Sequence, residues 1–134
     1  MKRILAVDDD FVSRVKLKNL LTPYGDCDAI PTGEMALEMV RYAHKEGVQY
    51  DLVTMDISMP GMTGIEVNEK IRDFEKKQGI PYSQGVKILM ITVKKEMRDV
   101  KESYETGCED YLCKPVTPEA LEEVLRKMGI KKEV

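Results

Sequence analysis

The residues best suited to chemistry in this sequence are three consecutive acids near its start, one later aspartate, a threonine and a lysine. They are Asp8-Asp9-Asp10, Asp56, Thr92 and Lys114, and each follows a short apolar run. Neighbouring carboxylates raise each other's pKa unless a cation lies between them. Mg²⁺ binds carboxylate, carbonyl and water oxygens and leaves positions for a phosphate oxygen. With Lys114 as a point charge, the set is suited to phosphoryl chemistry.

The elements that must position these residues are short apolar runs that alternate with longer amphipathic stretches. This alternation is typical of parallel strands joined by helical crossovers. The first, third and fourth runs are apolar on both faces, as central strands are. We predict strands at residues 4–7, roughly 27–30, 52–55, 88–91 and 111–113. We predict helices at residues 12–21, 33–43, 65–74, 97–104 and from 118 onward.

The sheet gives these separate residues a common location. In an open parallel sheet, ligands bind beyond the carboxyl ends of the strands. Three central strands would deliver acids and a hydroxyl to that edge, and the edge strand would deliver the lysine. Each residue alone is weak evidence, because aspartate is also a common helix N-cap and lysine is common on surfaces. The joint pattern is what indicates a site.

Helix faces and one connection complete the prediction. In the first helix the expected apolar face contains Val12, Val15, Leu17, Leu20 and Leu21. The methionines of the second helix, among them Met35, are expected to pack in the core. Residues 75–85 are polar and contain Pro and Gly, so we expect an exposed, mobile, irregular connection.

The chain resembles the response-regulator receiver family over nearly its whole length. The matching segments are Ile4-Leu5-Ala6-Val7-Asp8-Asp9, Asp51-Leu52-Val53-Thr54-Met55-Asp56, Met59-Pro60-Gly61-Met62-Thr63-Gly64, Met90-Ile91-Thr92 and Asp110-Tyr111-Leu112-Cys113-Lys114-Pro115. The resemblance implies a doubly wound, flavodoxin-like (βα)5 fold whose five parallel strands lie in the order 2-1-3-4-5. It also implies a signalling module that catalyses only its own phosphorylation and dephosphorylation, not a conventional enzyme.

The resemblance further implies a metal-assisted phosphoacceptor. Asp56 would accept a phosphoryl group from a histidine of a sensor kinase or a phosphotransfer protein. Mg²⁺, or Mn²⁺, would be bound by Asp56, directly by Asp9, largely through water by Asp8, and by the backbone carbonyl of Ser58. Lys114 would pair with the phosphoryl group.

A conformational switch is the second implication. Thr92 would hydrogen-bond a phosphoryl oxygen, and Tyr111 would occupy the position of the switch aromatic. The movement would change the surface formed by the fourth helix, the fifth strand and the fifth helix, for a downstream protein or a phosphorylation-dependent dimer. The alternative for Tyr111 is an ordinary half-exposed strand tyrosine, because tyrosine favours strands.

Two features depart from common family usage. Val93 is bulkier than the small residue often found after the threonine, and the neighbouring Lys94 is cationic. We predict restricted access to the phosphoryl group and an altered aspartyl-phosphate lifetime. The connection at residues 75–85 is longer than usual, so the docking surface near it cannot be assumed to be standard.

Composition excludes several other classes. The chain has 134 residues, of which 43% are hydrophobic and 34% charged, which fits one globular domain, residues 1–134, without an output domain. The net charge of −3 argues against direct nucleic-acid binding. Its three cysteines lack CxxC spacing, its only histidine is His44, and no segment has the length of a signal peptide or membrane helix. We therefore expect a cytoplasmic protein with no membrane or nucleic-acid partner.

Two other functions compete with the receiver interpretation of this sequence. The run from Asp8 to Val12 also fits the start of a haloacid-dehalogenase-type phosphohydrolase, in which Asp8 would be the nucleophile. That class needs an acidic motif after the lysine, and the acids after Lys114 are Glu119, Glu122, Glu123 and Glu133, all in or beyond the last helix. A degenerate receiver that only binds proteins would lack a site residue, and none is missing. Whether the domain stands alone or belongs to a larger protein stays open.

Overall fold

The structure is a computed structural model that describes residues 1–93 and 97–133, with the backbone alone for residues 97–100. Its described elements alternate between strands and helices along the chain. Strands β1 to β5 comprise Arg3–Val7, Asp26–Ile30, Leu52–Asp56, Lys87–Thr92 and Asp110–Cys113. Helices α1 to α5 comprise Phe11–Leu21, Gly33–Lys45, Gly64–Lys77, Met97–Glu105 and Pro118–Lys127.

The five strands form one parallel sheet in the order β2-β1-β3-β4-β5, which confirms the predicted topology. The register pairs Val7 with Met55, so the next residue of each chain segment, Asp8 and Asp56, leaves the sheet at the same level. Asp56 in turn pairs with Ile91 of β4. The strand pairing alone therefore brings Asp8 and Asp56 to the same level of the sheet.

Alternating residues of the strands supply two hydrophobic cores, one on each face of the sheet. Leu5 and Val7 point into the core beneath α2 and α3, whereas Ile4 and Ala6 point into the core beneath α1 and α5. Burial on both faces explains why the central strands are apolar throughout. The doubly wound prediction is confirmed.

Side-chain caps set the starts of four helices. Asp10 accepts a hydrogen bond from the Ser13 N–H at 2.8 Å, so this acid caps α1. Thr32, Thr63 and Thr117 cap α2, α3 and α5 in the same way. Such oxygens satisfy N–H groups that have no partner within the helix.

The predicted apolar face of α1 is wrong in part. Leu17 and Leu21 are buried, but Val12 and Val15 are 57% and 45% exposed. Residues two apart on a helix lie about 200° apart, so Val15 faces away from Leu17. Phe11, 68% exposed, lies with the two valines on the outer side of α1. We call Phe11, Val12 and Val15 the α1 patch.

Met35 of α2 is a smaller correction, because it is exposed instead of lying in the core. Its helical neighbour Ala36 is fully buried. One residue corresponds to about 100° of rotation on a helix, so adjacent positions differ in burial.

The connection after α3 also differs from expectation at its start. The helix continues to Lys77 because Glu and Lys are good helix formers, and it ends near Gly79, whose φ is +74°. Glu75, expected on the exposed connection, is buried and accepts hydrogen bonds from Arg72 and the Val86 N–H, both at 2.7 Å. The later residues 81–84 are exposed, as predicted.

All three cysteines are free thiols. In the part of the chain that the structure describes, the longest apolar stretch of any helix is too short to cross a membrane.

Candidate functional site

Three aspartates meet at the carboxyl edge of the sheet. One ligand oxygen from each of Asp8, Asp9 and Asp56 lies within 4.8 Å of the others. Asp8 and Asp56 are buried, with 1% and 6% of their surface exposed, whereas Asp9 faces solvent. The predicted acidic cluster is therefore present as a group of closely spaced carboxylates.

Lys114 brings positive charge into this cluster from the loop after β5. Its Nζ lies 2.8 Å from Oδ2 of Asp8 and 3.7 Å from Oδ2 of Asp56. Burial acts to lower the pKa of Lys114, but the hydrogen bond to Asp8 and the Asp56 charge outweigh it and raise that pKa. The lysine is therefore held in its charged form beside two buried carboxylates.

The pKa of the Asp56 carboxyl group is raised. Burial is the main cause that raises its pKa from 3.8 to about 6; Lys114 acts in the opposite direction, and the Asp8 charge adds to the rise. One oxygen, Oδ1, accepts a hydrogen bond from the Ser58 N–H at 3.2 Å. At neutral pH the group is mainly a carboxylate. Because this charged form is poorly solvated, a positively charged partner would stabilise it.

Gly64 allows the backbone to approach Asp56. A Cβ added to Gly64 would lie 2.2 Å from the Asp56 carbonyl oxygen, so no larger residue fits without a shift. The Gly64 N–H also donates to the Ile57 carbonyl at 3.0 Å. The start of α3 thus packs directly against Asp56, the last residue of β3, and against Ile57, a contact that the sequence pattern alone did not reveal.

The donor set fits Mg²⁺ or Mn²⁺. It consists of carboxylate oxygens, which hard divalent cations prefer. Among the described residues, the three carboxylates outnumber the one ammonium group, that of Lys114, within salt-bridge distance of them, so a cation would relieve their repulsion. The cation would be held by the side chains of Asp8, Asp9 and Asp56. That the Ser58 backbone carbonyl is a further ligand stays a prediction.

The two predicted switch residues lie on adjacent strands. Thr92 ends β4 and is buried, and its carbonyl accepts a hydrogen bond from the Lys114 N–H at 2.8 Å. Tyr111 pairs with Met90, two residues before Thr92, so both side chains face the same side of the sheet. Tyr111 is partly buried against the core, with its ring edge-on to Tyr104 at 6.4 Å. Their switching role stays a prediction.

A cavity of about 440 Å³ opens beside the carboxylates. Its lining includes Asp8, Lys114, Lys16 and Leu17, together with Val93. Val93 is 67% exposed, and its predicted effect on access to the phosphoryl group stays a prediction. Lys94, the other departure from family usage, lies outside the described residues.

Sequence reasoning missed Arg14. Its Nη1 donates a hydrogen bond to the Asp8 carbonyl at 2.9 Å, and its side chain is partly buried. Nothing in the spacing of α1 residues distinguishes this arginine from a solvated one. By contrast, His44 is remote from the cluster and lies against Phe74 and Gln49.

Comparison with known proteins gives a consistent result. The family description "response regulator receiver domain" matches residues 4–126. Protein CcdB of Bacillus subtilis is 36% identical over 131 residues, which are 96% of this chain and 99% of that protein. Hybrid signal transduction histidine kinase L of Dictyostelium discoideum is 30% identical over 95% of this chain, which spans only 7% of the kinase.

Solved structures share the fold. The receiver domain of the histidine kinase CKI1 from Arabidopsis thaliana, complexed with Mg²⁺ and BeF₃⁻, has a TM-score of 0.80 and 27% identity; the match covers 96% of this chain and 89% of that one. The receiver domain of Ssk1 from Saccharomyces cerevisiae was solved with the histidine phosphotransfer protein Ypd1. It has a TM-score of 0.78 and 32% identity, covering 92% of this chain and 86% of that one.

Proposed function

The chain belongs to the response regulator receiver domain family, the signalling modules of two-component and phosphorelay systems, and we propose that Asp56 is its phosphoacceptor. The observation that carries this proposal is the buried Asp56 carboxylate, 3.7 Å from the Lys114 ammonium and clustered with Asp8 and Asp9. This arrangement combines a nucleophile with the positive charge that an incoming phosphoryl group needs. The use of Mg²⁺ in the CKI1 receiver supports the same assignment.

The proposed reaction assigns one role to each of these groups. A carboxylate oxygen of Asp56 attacks the phosphorus of a phosphohistidine, the P–N bond breaks, and an acyl phosphate forms on Asp56. Lys114 neutralises charge on the transferred phosphoryl oxygens by preorganised electrostatics. Thr92, at the end of β4, donates a hydrogen bond to one of them. A bound Mg²⁺ supplies further charge neutralisation and orientation when it is held by the three aspartates.

The direct test uses acetyl phosphate and Mg²⁺ with the purified protein. We expect the intact mass of the wild type to rise by one phosphoryl group, and Asp56→Asn to show no rise. Asp8→Asn is the discriminating variant, because a dehalogenase-type phosphohydrolase would lose its nucleophile there. Phosphate retained in Asp56→Asn but lost in Asp8→Asn would contradict the receiver assignment of Asp56.

The phosphorylated protein is also expected to change its surface at α4, β5 and α5. Movement of Thr92 toward the phosphoryl group would leave room behind it for Tyr111, which shares its face of the sheet. The changed surface would bind a downstream protein or a second copy. Comparing the oligomeric state of wild type and Asp56→Asn after acetyl phosphate treatment tests the dimer; identical states would exclude it.

The α1 patch is the proposed docking surface for the phosphate donor. It exposes Phe11, Val12 and Val15 directly after the Asp8-Asp9-Asp10 loop, and apolar side chains beside a reactive site favour a protein partner. The Ssk1 receiver was crystallised with a histidine phosphotransfer protein, which supports a partner of this class.

Val15→Glu tests this docking surface without touching the carboxylates. We expect a roughly tenfold slower transfer from a phosphorylated histidine phosphotransfer protein that serves the wild type, because a charge replaces a central apolar contact. The rate with acetyl phosphate should not change, since that donor needs no docking surface. Tyr42→Glu on α2, which is also solvent-exposed, is the control. Equal losses in both variants would refute the patch.

Val93 is proposed to set the lifetime of the aspartyl phosphate. Its exposed side chain lines the cavity beside Asp8 and Lys114, where a hydrolytic water would approach. We expect Val93→Ala to dephosphorylate severalfold faster than the wild type. Following the loss of phosphate by mass after removing acetyl phosphate measures this, and identical rates would exclude the proposal.

We further propose a cytoplasmic regulator that acts without its own output domain and contacts proteins, not nucleic acid or membranes. The match to CcdB along 99% of that protein supports a single-domain form. The protein's mass in its native cell decides this point, because a fused output domain would raise it well above 15.3 kDa.

A further inference from the structure

Arg14 reaches back from α1 to the loop that carries the acidic residues. Its Nη1 donates to the carbonyl oxygen of Asp8 at 2.9 Å, across six residues of chain. Its guanidinium carbon lies 5.6 Å from the centre of the Phe11 ring, a cation–π distance. The side chain is partly buried and lies between the Asp8 carbonyl and the Phe11 ring.

The other polar groups of this loop already have partners. The Asp8 N–H donates to the Ile30 carbonyl at 3.1 Å, and the two carboxylate oxygens of Asp8 accept from the Asp10 N–H and from Lys114. Asp10 is occupied as the cap of α1. The backbone on both sides of Asp9 is thus fixed by hydrogen bonds.

Asp9 is the exception. Its carboxylate faces solvent and, within the described part of the chain, forms no hydrogen bond or ion pair. Its position close to Asp8 and Asp56 therefore depends on the backbone. The peptide group that joins Asp8 to Asp9 is planar and contains both the Asp8 carbonyl oxygen and the Asp9 Cα, so holding that oxygen also fixes where the Asp9 Cα lies. Arg14 holds that oxygen.

We propose that Arg14 is a positioning residue that orients the Asp8–Asp9 peptide, so that the Asp9 carboxylate is preorganised for a divalent cation. The inference rests on the proposed function, because it takes the three aspartates as the cation site. Preorganised ligands bind more tightly because less ordering is needed on binding.

If Arg14 acted only through its charge, replacing it would tighten cation binding instead of weakening it, so an experiment can distinguish the two roles. Arg14 is a cation near a cation site, so removing its charge without any loss of positioning would tighten binding. Lys16 provides the matched control, since it is exposed, lies on the same helix, and lines the cavity next to Asp8 and Lys114. Lys16→Gln reports the charge effect without a known contact to the loop.

The experiment measures Mn²⁺ binding by the electron paramagnetic resonance signal of free Mn²⁺. We expect a Kd roughly tenfold higher in Arg14→Gln, in the range seen when groups that orient metal ligands are removed. Arg14→Lys keeps the positive charge but loses the planar guanidinium group that donates to the Asp8 carbonyl, so the Kd of this variant for Mn²⁺ should also rise. Lys16→Gln should leave the Kd unchanged or lower it. An unchanged or lower Kd in both Arg14 variants would overturn the proposal.

A double-mutant cycle with Asp9→Asn tests whether Arg14 acts through Asp9. If it does, adding Arg14→Gln to Asp9→Asn changes the Kd little, and the two effects are not additive. Full additivity would refute the route through Asp9. Wild type that binds no Mn²⁺ would contradict the proposed function as well, whereas wild-type binding with unaffected Arg14 variants would contradict this inference alone. Thermal unfolding without metal checks that each variant is folded.

Discussion

Replacing Lys114 by methionine is expected to lower the free energy of unfolding by about 3 kcal/mol at pH 8 in the absence of divalent cations. The substitution keeps most of the apolar side-chain stem but removes the ammonium that lies 2.8 Å from Asp8 and 3.7 Å from Asp56. Two buried carboxylates then repel each other, and no other ammonium or guanidinium group of the described residues lies within salt-bridge distance of them. A buried charge that loses its partner is among the most destabilising changes known.

The pH and metal dependence of this loss identify its cause. Removing Lys114 takes away the charge that opposes the rise in the Asp56 pKa, so Asp56 should become protonated more readily. The loss should therefore shrink at pH 5, where a neutral Asp56 no longer repels Asp8. Mg²⁺ at pH 8 should recover part of it, because binding to the folded state adds stability.

Chemical denaturation at pH 5 and pH 8, with and without Mg²⁺, measures these effects. Lys16→Met is the control, because Lys16 is exposed and forms no ion pair with either aspartate within the described residues. It should change the unfolding free energy by less than about 0.5 kcal/mol. A loss in Lys114→Met that is the same at both pH values would assign the effect to packing instead of charge.

The fold and the cluster could be predicted because they depend on local patterns. Apolar runs marked all five strands to within one or two residues at each end, and parallel topology brings the ends of neighbouring strands to one edge. The acids that follow β1 and end β3 therefore had to meet. The same reasoning placed Lys114 at the edge beside them, where it contacts Asp8.

What could not be predicted depends on contacts that are distant in sequence. Val12 and Val15 are apolar like the residues of a buried helix face. Only the packing of Leu17 and Leu21 against the sheet determines which side of α1 is exposed. Glu75 resembles a surface residue until Arg72 and the Val86 N–H are seen to satisfy its carboxylate. Neither partner is indicated by periodicity.

Arg14 shows the same limit within the site. Its hydrogen bond to the Asp8 carbonyl depends on how the loop turns into α1, and a backbone acceptor leaves no signature in the sequence. Side chains that ligate or react are recognisable by type. Residues that orient them through the backbone are not.

Asp56→Asn is expected to make the protein more stable at neutral pH, although it removes the proposed nucleophile. Burial raises the pKa of Asp56 from 3.8 to about 6. Between about pH 4 and pH 6 the folded state keeps a proton that the unfolded state has lost, so stability falls as pH rises through this window. An asparagine of the same shape does not ionise and escapes this loss.

The difference in unfolding free energy between Asp56→Asn and wild type should therefore be small near pH 4 and reach on the order of 2 kcal/mol in favour of the variant at pH 7. Urea denaturation across this range in EDTA measures it, with Asp9→Asn as an exposed control from the same cluster that should gain far less. Mg²⁺ should reduce this difference in unfolding free energy, because the wild type keeps the Asp56 carboxylate as a metal ligand and the variant does not. A wild type more stable than Asp56→Asn at pH 7 in EDTA would show that Lys114 and the Ser58 N–H fully offset the burial of this carboxylate. In that case the carboxylate would not be destabilised in the free protein, and its readiness to accept a phosphoryl group would have to come from the bound cation.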